Sequence, residues 1–154
     1  MKIMGAAIVL ALIAGQAAAL SCMRPDPVRT FKQIEDIPTP YYVLYGTLDF
    51  DASKQPRGVI NKERNPAPIP AQFSGFGLNT NGFTTRYNAQ VTLQPTCAGP
   101  WCGSQTPDVK SLFFAKVEGD SVTITVGPCG GTAFADPSSA MLADMTACMN
   151  GNCP

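Results

Sequence analysis

The 154-residue chain contains no histidine. That removes the commonest general base and the commonest metal ligand, and it makes Ser-His-Asp and Cys-His catalysis impossible within this chain. Charge is scarce as well: 11 basic residues meet 11 acidic ones, and charged side chains make up only 14% of the sequence. A balance of this kind leaves no electrostatic footprint for nucleic acid or for an anionic membrane surface. No apolar run reaches the roughly 20 residues needed to cross a bilayer as a helix. Neither an internal repeat nor a low-complexity array is evident, so a solenoid or array is not expected.

The start of the sequence reads as an export signal. Lys2 supplies the positive end, the stretch from Ala6 to Ala14 is apolar, and Ala17-Ala18-Ala19 offers a small-residue cleavage site. The expected division is a signal peptide over 1–19 and one domain over 20–154. The mature protein is then periplasmic or secreted. Cys22 follows this leader closely, and Ala19-Leu20-Ser21-Cys22 loosely matches a lipoprotein cleavage site, so acylation of Cys22 is a third reading.

All six cysteines follow the leader, and their even number suits an oxidising compartment. The competing metal reading is weak. Neither Cys97-x4-Cys102 nor Cys148-x4-Cys153 belongs to a paired C-x2-C zinc layout. CAGPWCG, residues 97–103, contains Trp-Cys-Gly but lacks the C-x-x-C spacing of a thioredoxin-type redox site. Disulfides are expected, and the residues alone leave their connectivity open.

The pattern predicts strands and one helix. YYVLYGTLDFD, Tyr41 to Asp51, alternates Tyr42, Leu44, Leu48 and Phe50 onto one face, with a bulge or bend expected at Gly46. Asn81-Gly82 is a strong turn dipeptide inside a hairpin from Phe73 to Leu93. A second hairpin over 112–126 turns at Gly119-Asp120 and points Val122, Ile124 and Val126 inward. Near the end, Asp136 is the expected N-cap and Pro137 the first residue of a single helix that places Met141, Leu142, Met145 and Met149 on one face and stops at Gly151. The expected fold is mainly β: a small five-stranded OB-like barrel with a C-terminal helix, stapled by disulfides.

Residues 52–70, ASKQPRGVINKERNPAPIP, carry four basic residues and four prolines with little apolar periodicity, and they predict a long exposed connection. Asp49 and Asp51 share a strand face but read as a solvated strand end rather than an acid-base pair. The methionines at helical spacing read as core packing rather than as thioether ligands. Trp101, Tyr41 and Tyr45 are candidates for a contact patch or for rim packing.

The chain resembles the netrin-like module of the tissue inhibitors of metalloproteinases, as a distant, bacterial-type relative. The likeness rests on Cys22-Met-Arg-Pro-Asp-Pro with Thr30-Phe31, on Cys102-Gly103, and on Cys129 leading through Phe134 and Pro137-Ser138-Ser139 to a cysteine-terminated helix. It implies an OB-type barrel with helices and a pairing of Cys22 with Cys129, Cys97 with Cys102, and Cys148 with Cys153. The chain also departs from the family pattern. Leu20-Ser21-Cys22 stands where the family has Cys-x-Cys, and Lys32 stands at a further family cysteine.

The expected function is binding without chemistry, with no catalytic residue, metal or cofactor. The expected partner is an extracytoplasmic protein, a protease among the candidates. The residues expected to touch it are Leu20, Ser21, Arg57, Lys62 and Arg64. In the alternative reading, the protein is a protease inhibitor that uses its mature N-terminus and the 52–70 loop.

Overall fold

The structure is a computed structural model that describes residues 20–57 and 66–154. The expected leader, with Lys62 and Arg64, lies outside the described residues. In chain order the elements are α1 (Pro27–Glu35), β1 (Tyr41–Phe50), a 3-10 turn (Ala52–Lys54), β2 (Ile69–Asn79), β3 (Gly82–Pro95), β4 (Cys97–Ala98), β5 (Trp101–Cys102), β6 (Ser111–Glu118), β7 (Ser121–Val126), β8 (Ala133–Ala135) and α2 (Ser139–Met149).

Five of these strands close a barrel in the order β1-β2-β3-β7-β6, with β6 pairing back to β1. All neighbours are antiparallel except β3 and β7, which run parallel from Thr92↔Thr123 to Pro95↔Val126. This is the expected OB-like barrel. β8 adds to the edge of β6 at Ser111–Phe113, beyond the stretch paired with β7, and β4 and β5 form a separate two-stranded hairpin.

Two apolar layers hold the elements together. Leu44, Leu48, Phe73, Leu93, Phe113 and Ile124 fill the barrel. Outside it, Val43, Leu112 and Phe114 pack with Phe31 of α1 and with Met145 and Cys148 of α2. Leu112, Phe113, Phe114 and Ala115 are all at most 1% exposed, so β6 is buried on both faces. That explains its unbroken apolar run, where the wetter β3 alternates.

Gly46 is not a bulge. The β1 ladder runs through it in register, and the irregularity falls between Gly77 and Leu78 in the β2–β3 pairing. Gly46 instead faces Gly75, and a Cβ on Gly46 would lie 2.2 Å from the Ser74 carbonyl oxygen and 2.8 Å from the Phe73 ring. The glycine pair lets two backbones and one ring share a space that side chains would fill. Tyr42, expected to point inward, is 44% exposed at the barrel mouth.

The first hairpin turns one residue earlier than expected. Thr80 and Asn81 are its turn residues, and Gly82 opens β3 with φ +94°. Asn79 accepts a 2.7 Å hydrogen bond from the Asn81 N–H, a side-chain turn that competes with the expected Asn-Gly geometry. β2 also starts inside the expected loop, at Ile69. Pro70 fits there because the β1–β2 ladder reaches only to Ala71.

The helices correct the sequence reading most. Ser138, not Asp136, caps α2, and its hydroxyl accepts from the Met141 N–H. Asp136 sits at φ +46° with its N–H bonded to the Lys110 carbonyl, a strand-end geometry that excludes it from the cap. α2 ends as expected at Gly151. The Gly151 N–H bonds the Cys148 carbonyl and the Asn152 N–H bonds the Ala147 carbonyl, which together make a Schellman motif. Met145 and Cys148 are buried, whereas Met149 is 36% exposed. The unexpected α1 starts at Asp26-Pro27, where the Asp26 carboxylate accepts from the Val28 and Arg29 N–H groups.

Three disulfides link Cys22 to Cys129, Cys97 to Cys102 and Cys148 to Cys153, the same pairs that the resemblance implies. Cys22 and Cys129 are 107 residues apart, against 5 for each of the others. Chain-entropy reasoning assigns about 5 kcal/mol to the long closure and about 2 kcal/mol to a short one. A Cys22→Ser/Cys129→Ser variant is therefore expected to lose roughly twice the stability lost by Cys97→Ser/Cys102→Ser. Urea unfolding of both variants measures the two losses, and equal losses would contradict the chain-entropy account.

Candidate functional site

The two ends of the barrel differ. At one end, β2 joins β3 through Thr80-Asn81 and β6 joins β7 through Gly119-Asp120. The strand directions gather the long connections at the other end, namely 51–68 after β1, 96–110 after β3, and 127–132 after β7. Long surface connections on a rigid scaffold are where binding residues concentrate.

Side chains brace this loop end. Asp51 leaves β1 and caps the 3-10 turn, its Oδ1 accepting from the Ser53 N–H at 3.0 Å and the Ser53 hydroxyl at 2.6 Å. Those two hydrogen bonds, side-chain first, hold the Asp51 carboxyl below the usual carboxylate range. Asp51 is thus the cap of the 3-10 turn. Directly after the turn, Gln55 donates to the Gln105 carbonyl at 2.9 Å and accepts from the Gln105 N–H at 2.7 Å. The buried Gln105 amide in turn donates to the Ser111 hydroxyl at 3.1 Å, tying both loops to the base of β6.

The β4–β5 hairpin stands on the same end. The Thr96 N–H bonds the Val126 carbonyl and the Gly103 N–H bonds the Thr96 carbonyl, so the hairpin base is fixed to β7. The Cys97–Cys102 bond closes it, and Trp101 next to the bond is 40% exposed. This is a turn-spanning structural disulfide.

The N-terminal segment attaches to the third connection. Cys22 is bonded to Cys129, Pro25 packs against Gly130, and the Thr30 hydroxyl donates to the Gly131 carbonyl at 2.7 Å. Ser21 is exposed and Leu20 half-buried. Arg57 is exposed just after the 3-10 turn. The structure therefore gathers Leu20, Ser21 and Arg57 at one barrel end without joining them, since Cys22 is tied to Cys129 while Gln55 is tied to Gln105. Lys62 and Arg64 fall outside the described residues.

Trp101, Tyr41 and Tyr45 do not make one patch. Tyr41 packs against the outer apolar layer, and Tyr45 stacks edge-on with Phe83 at 5.8 Å. Trp101 alone of the three stands at the loop end. The Gln55–Gln105 brace has no sequence signal, because it joins residues fifty apart through a fold that only the strand order creates.

Among the described residues, no group of three or more Cys, Asp or Glu side chains is placed to hold a metal ion, and no helix is long and apolar enough to cross a membrane. A surface groove of about 490 Å3 lies elsewhere, over the outer faces of β2 and β3 between Asp49 and Asp120. Comparison with protein-family models, curated proteins and solved structures found no match.

Replacing Gln55 with Ala removes both hydrogen bonds of the brace and leaves the Gln105 N–H and carbonyl without their side-chain partner. The expected cost is about 1–3 kcal/mol. Hydrogen exchange localises the effect: amides of residues 52–57 are expected to lose protection first, and a loss spread evenly over the barrel would contradict the brace.

Proposed function

We propose that the protein is an exported binding domain that does no chemistry and grips an extracytoplasmic protein with the loop end of its barrel. One observation carries this reading. A disulfide-tied N-terminal segment, a disulfide-closed hairpin bearing an exposed Trp101 and the long β1–β2 connection all leave the same end.

Elements held in place before binding lose less entropy when a partner arrives, and an exposed tryptophan on such a support is the side chain most enriched among binding hot spots. Three disulfides fit an oxidising compartment. The Cys22–Cys129 bond also uses the sulfur that acylation would need, which favours export without a lipid anchor. The lack of histidine supports a role without acid-base catalysis.

The same Cys22–Cys129 bond favours protease inhibition as a second reading, because it fixes the residues just after the expected cleavage site to the barrel. In the netrin-like inhibitors it resembles, the free N-terminus meets the protease. Here Leu20 and Ser21 would take that place.

A photo-crosslinking residue at position 101 is expected to capture an extracytoplasmic protein that the same residue at position 118, on the opposite end, does not. Deleting residues 56–68 is expected to abolish that capture with the melting temperature nearly unchanged. Equal capture from both positions, or capture that survives the deletion, would remove the loop end as the binding element. Extending the mature N-terminus by one residue separates the readings: it is expected to destroy inhibition of a metalloprotease but to leave capture through Trp101 intact.

A further inference from the structure

At the tight-turn end of the barrel, β1 and the β2–β3 hairpin part company. Their ladder starts at Leu44↔Gly77, while Tyr41, Tyr42 and Val43 stay paired with β6. Beyond Gly77 the hairpin tip leans on α2. Leu78 and Phe83 pack in the layer around Met145, and the Asn150 side chain donates to the Thr80 carbonyl at 2.9 Å. The divergence leaves a cleft of about 290 Å3.

Its walls are carbon with hydroxyl groups interspersed. Leu44 and Leu78 line it beside Tyr41, Tyr42 and Tyr87, and Met149 from the end of α2 forms the rim. Tyr42 and Tyr87 meet edge to face, with ring centroids 5.6 Å apart and planes at 68°. A third ring entering this cleft finds both an aromatic face and an aromatic edge, the two partners that rings prefer. Tyr42 at 44% and Met149 at 36% are also among the most exposed large apolar side chains of the fold.

Gly77 keeps the floor open. A Cβ there would meet Leu44 and Thr85 only at 3.8 and 3.9 Å, ordinary contact distances, in contrast to the collisions at Gly46 and Gly75. Backbone packing does not require glycine at position 77, and a side chain there would occupy cleft volume. The volume is roughly twice that of an apolar cavity known to hold one benzene.

We propose that this cleft binds a small aromatic molecule, about the size of a two-ring phenol, with its ring between Tyr42, Tyr87 and Leu78 and its polar group at the tyrosine and Thr85 hydroxyls. The site is separate from the loop end and independent of what that end binds.

Equilibrium dialysis of the oxidised protein with 2-naphthol tests it. Saturable binding at one site is expected, weakened about tenfold or more in Gly77→Val with the melting temperature held. Tyr42→Phe and Tyr87→Phe are expected to weaken 2-naphthol but not naphthalene. Should Gly77→Val fail to fold, amide shifts of the unaltered protein carry the test: 2-naphthol is expected to move residues 41–44 and 77–87 and to leave the Trp101 indole in place. Four results would overturn the proposal: no saturable binding up to the solubility of the probe, undiminished binding by a folded Gly77→Val, shifts centred on Trp101, or equal affinity for 1-heptanol.

Discussion

Between Leu44 and Gly46, β1 is bonded to β2 along one edge and to β6 along the other, and the barrel closes at this overlap. A strand that serves two neighbours while the sheet curves tightly needs its backbone close to theirs. Gly46 and Gly75 provide the approach, and the Phe73 ring covers the space their missing side chains leave. The rest of the molecule follows from that closure. It turns the inner faces of five strands into one core, and it leaves the outer faces of β1 and β6 apolar, so that α1 and α2 have a surface to cover. It also separates the two barrel ends, one trimmed to two-residue turns and the other free to carry long connections.

The disulfides act where the core does not reach. The segment before α1 has no strand or helix of its own, and its attachment to Cys129 and Gly130, through Cys22 and Pro25, is what makes it part of the fold. The β4–β5 hairpin has only two residues per strand, far below independent stability, and relies on its own bond and on two backbone hydrogen bonds at its base. Past α2, the Cys148–Cys153 bond spans the Schellman turn, and Lys32 of α1 donates to the Pro154 carbonyl at 2.8 Å. That hydrogen bond ties α1 to the chain after α2.

Much of this was legible in the sequence, for reasons particular to each element. Alternation in β3 and the apolar run of β6 report directly on one wet face and on two covered ones. The dipeptide Asp-Pro shows where local signals stop. It starts α1 at Asp26-Pro27, yet at Asp136-Pro137 it precedes the helix by a turn, because the Asp136 N–H is committed to Lys110. The capping chemistry is the same in both places, and only the tertiary partner distinguishes them. For the candidate site, composition marked the long β1–β2 connection, but the convergence of the loops depends on strand order, which no local pattern carries. Tyr42 turned out exposed for a similar reason: its alternation is correct, but at that level β1 has parted from β2 and the ring lies in an open cleft beside Tyr87.

The spacing of the cysteines also orders events in time. A chain that emerges N-terminus first brings out Cys22 well before Cys97 and Cys102, and all three before Cys129. During that interval the wrong partners are the nearest ones. Closure of a five-residue loop takes place on a timescale of about 100 ns or less, so Cys97 and Cys102 meet each other far more often than either meets Cys22. Proximity thus favours pairing of Cys97 with Cys102, and that pair, once closed, leaves Cys22 without two competing thiols when Cys129 arrives.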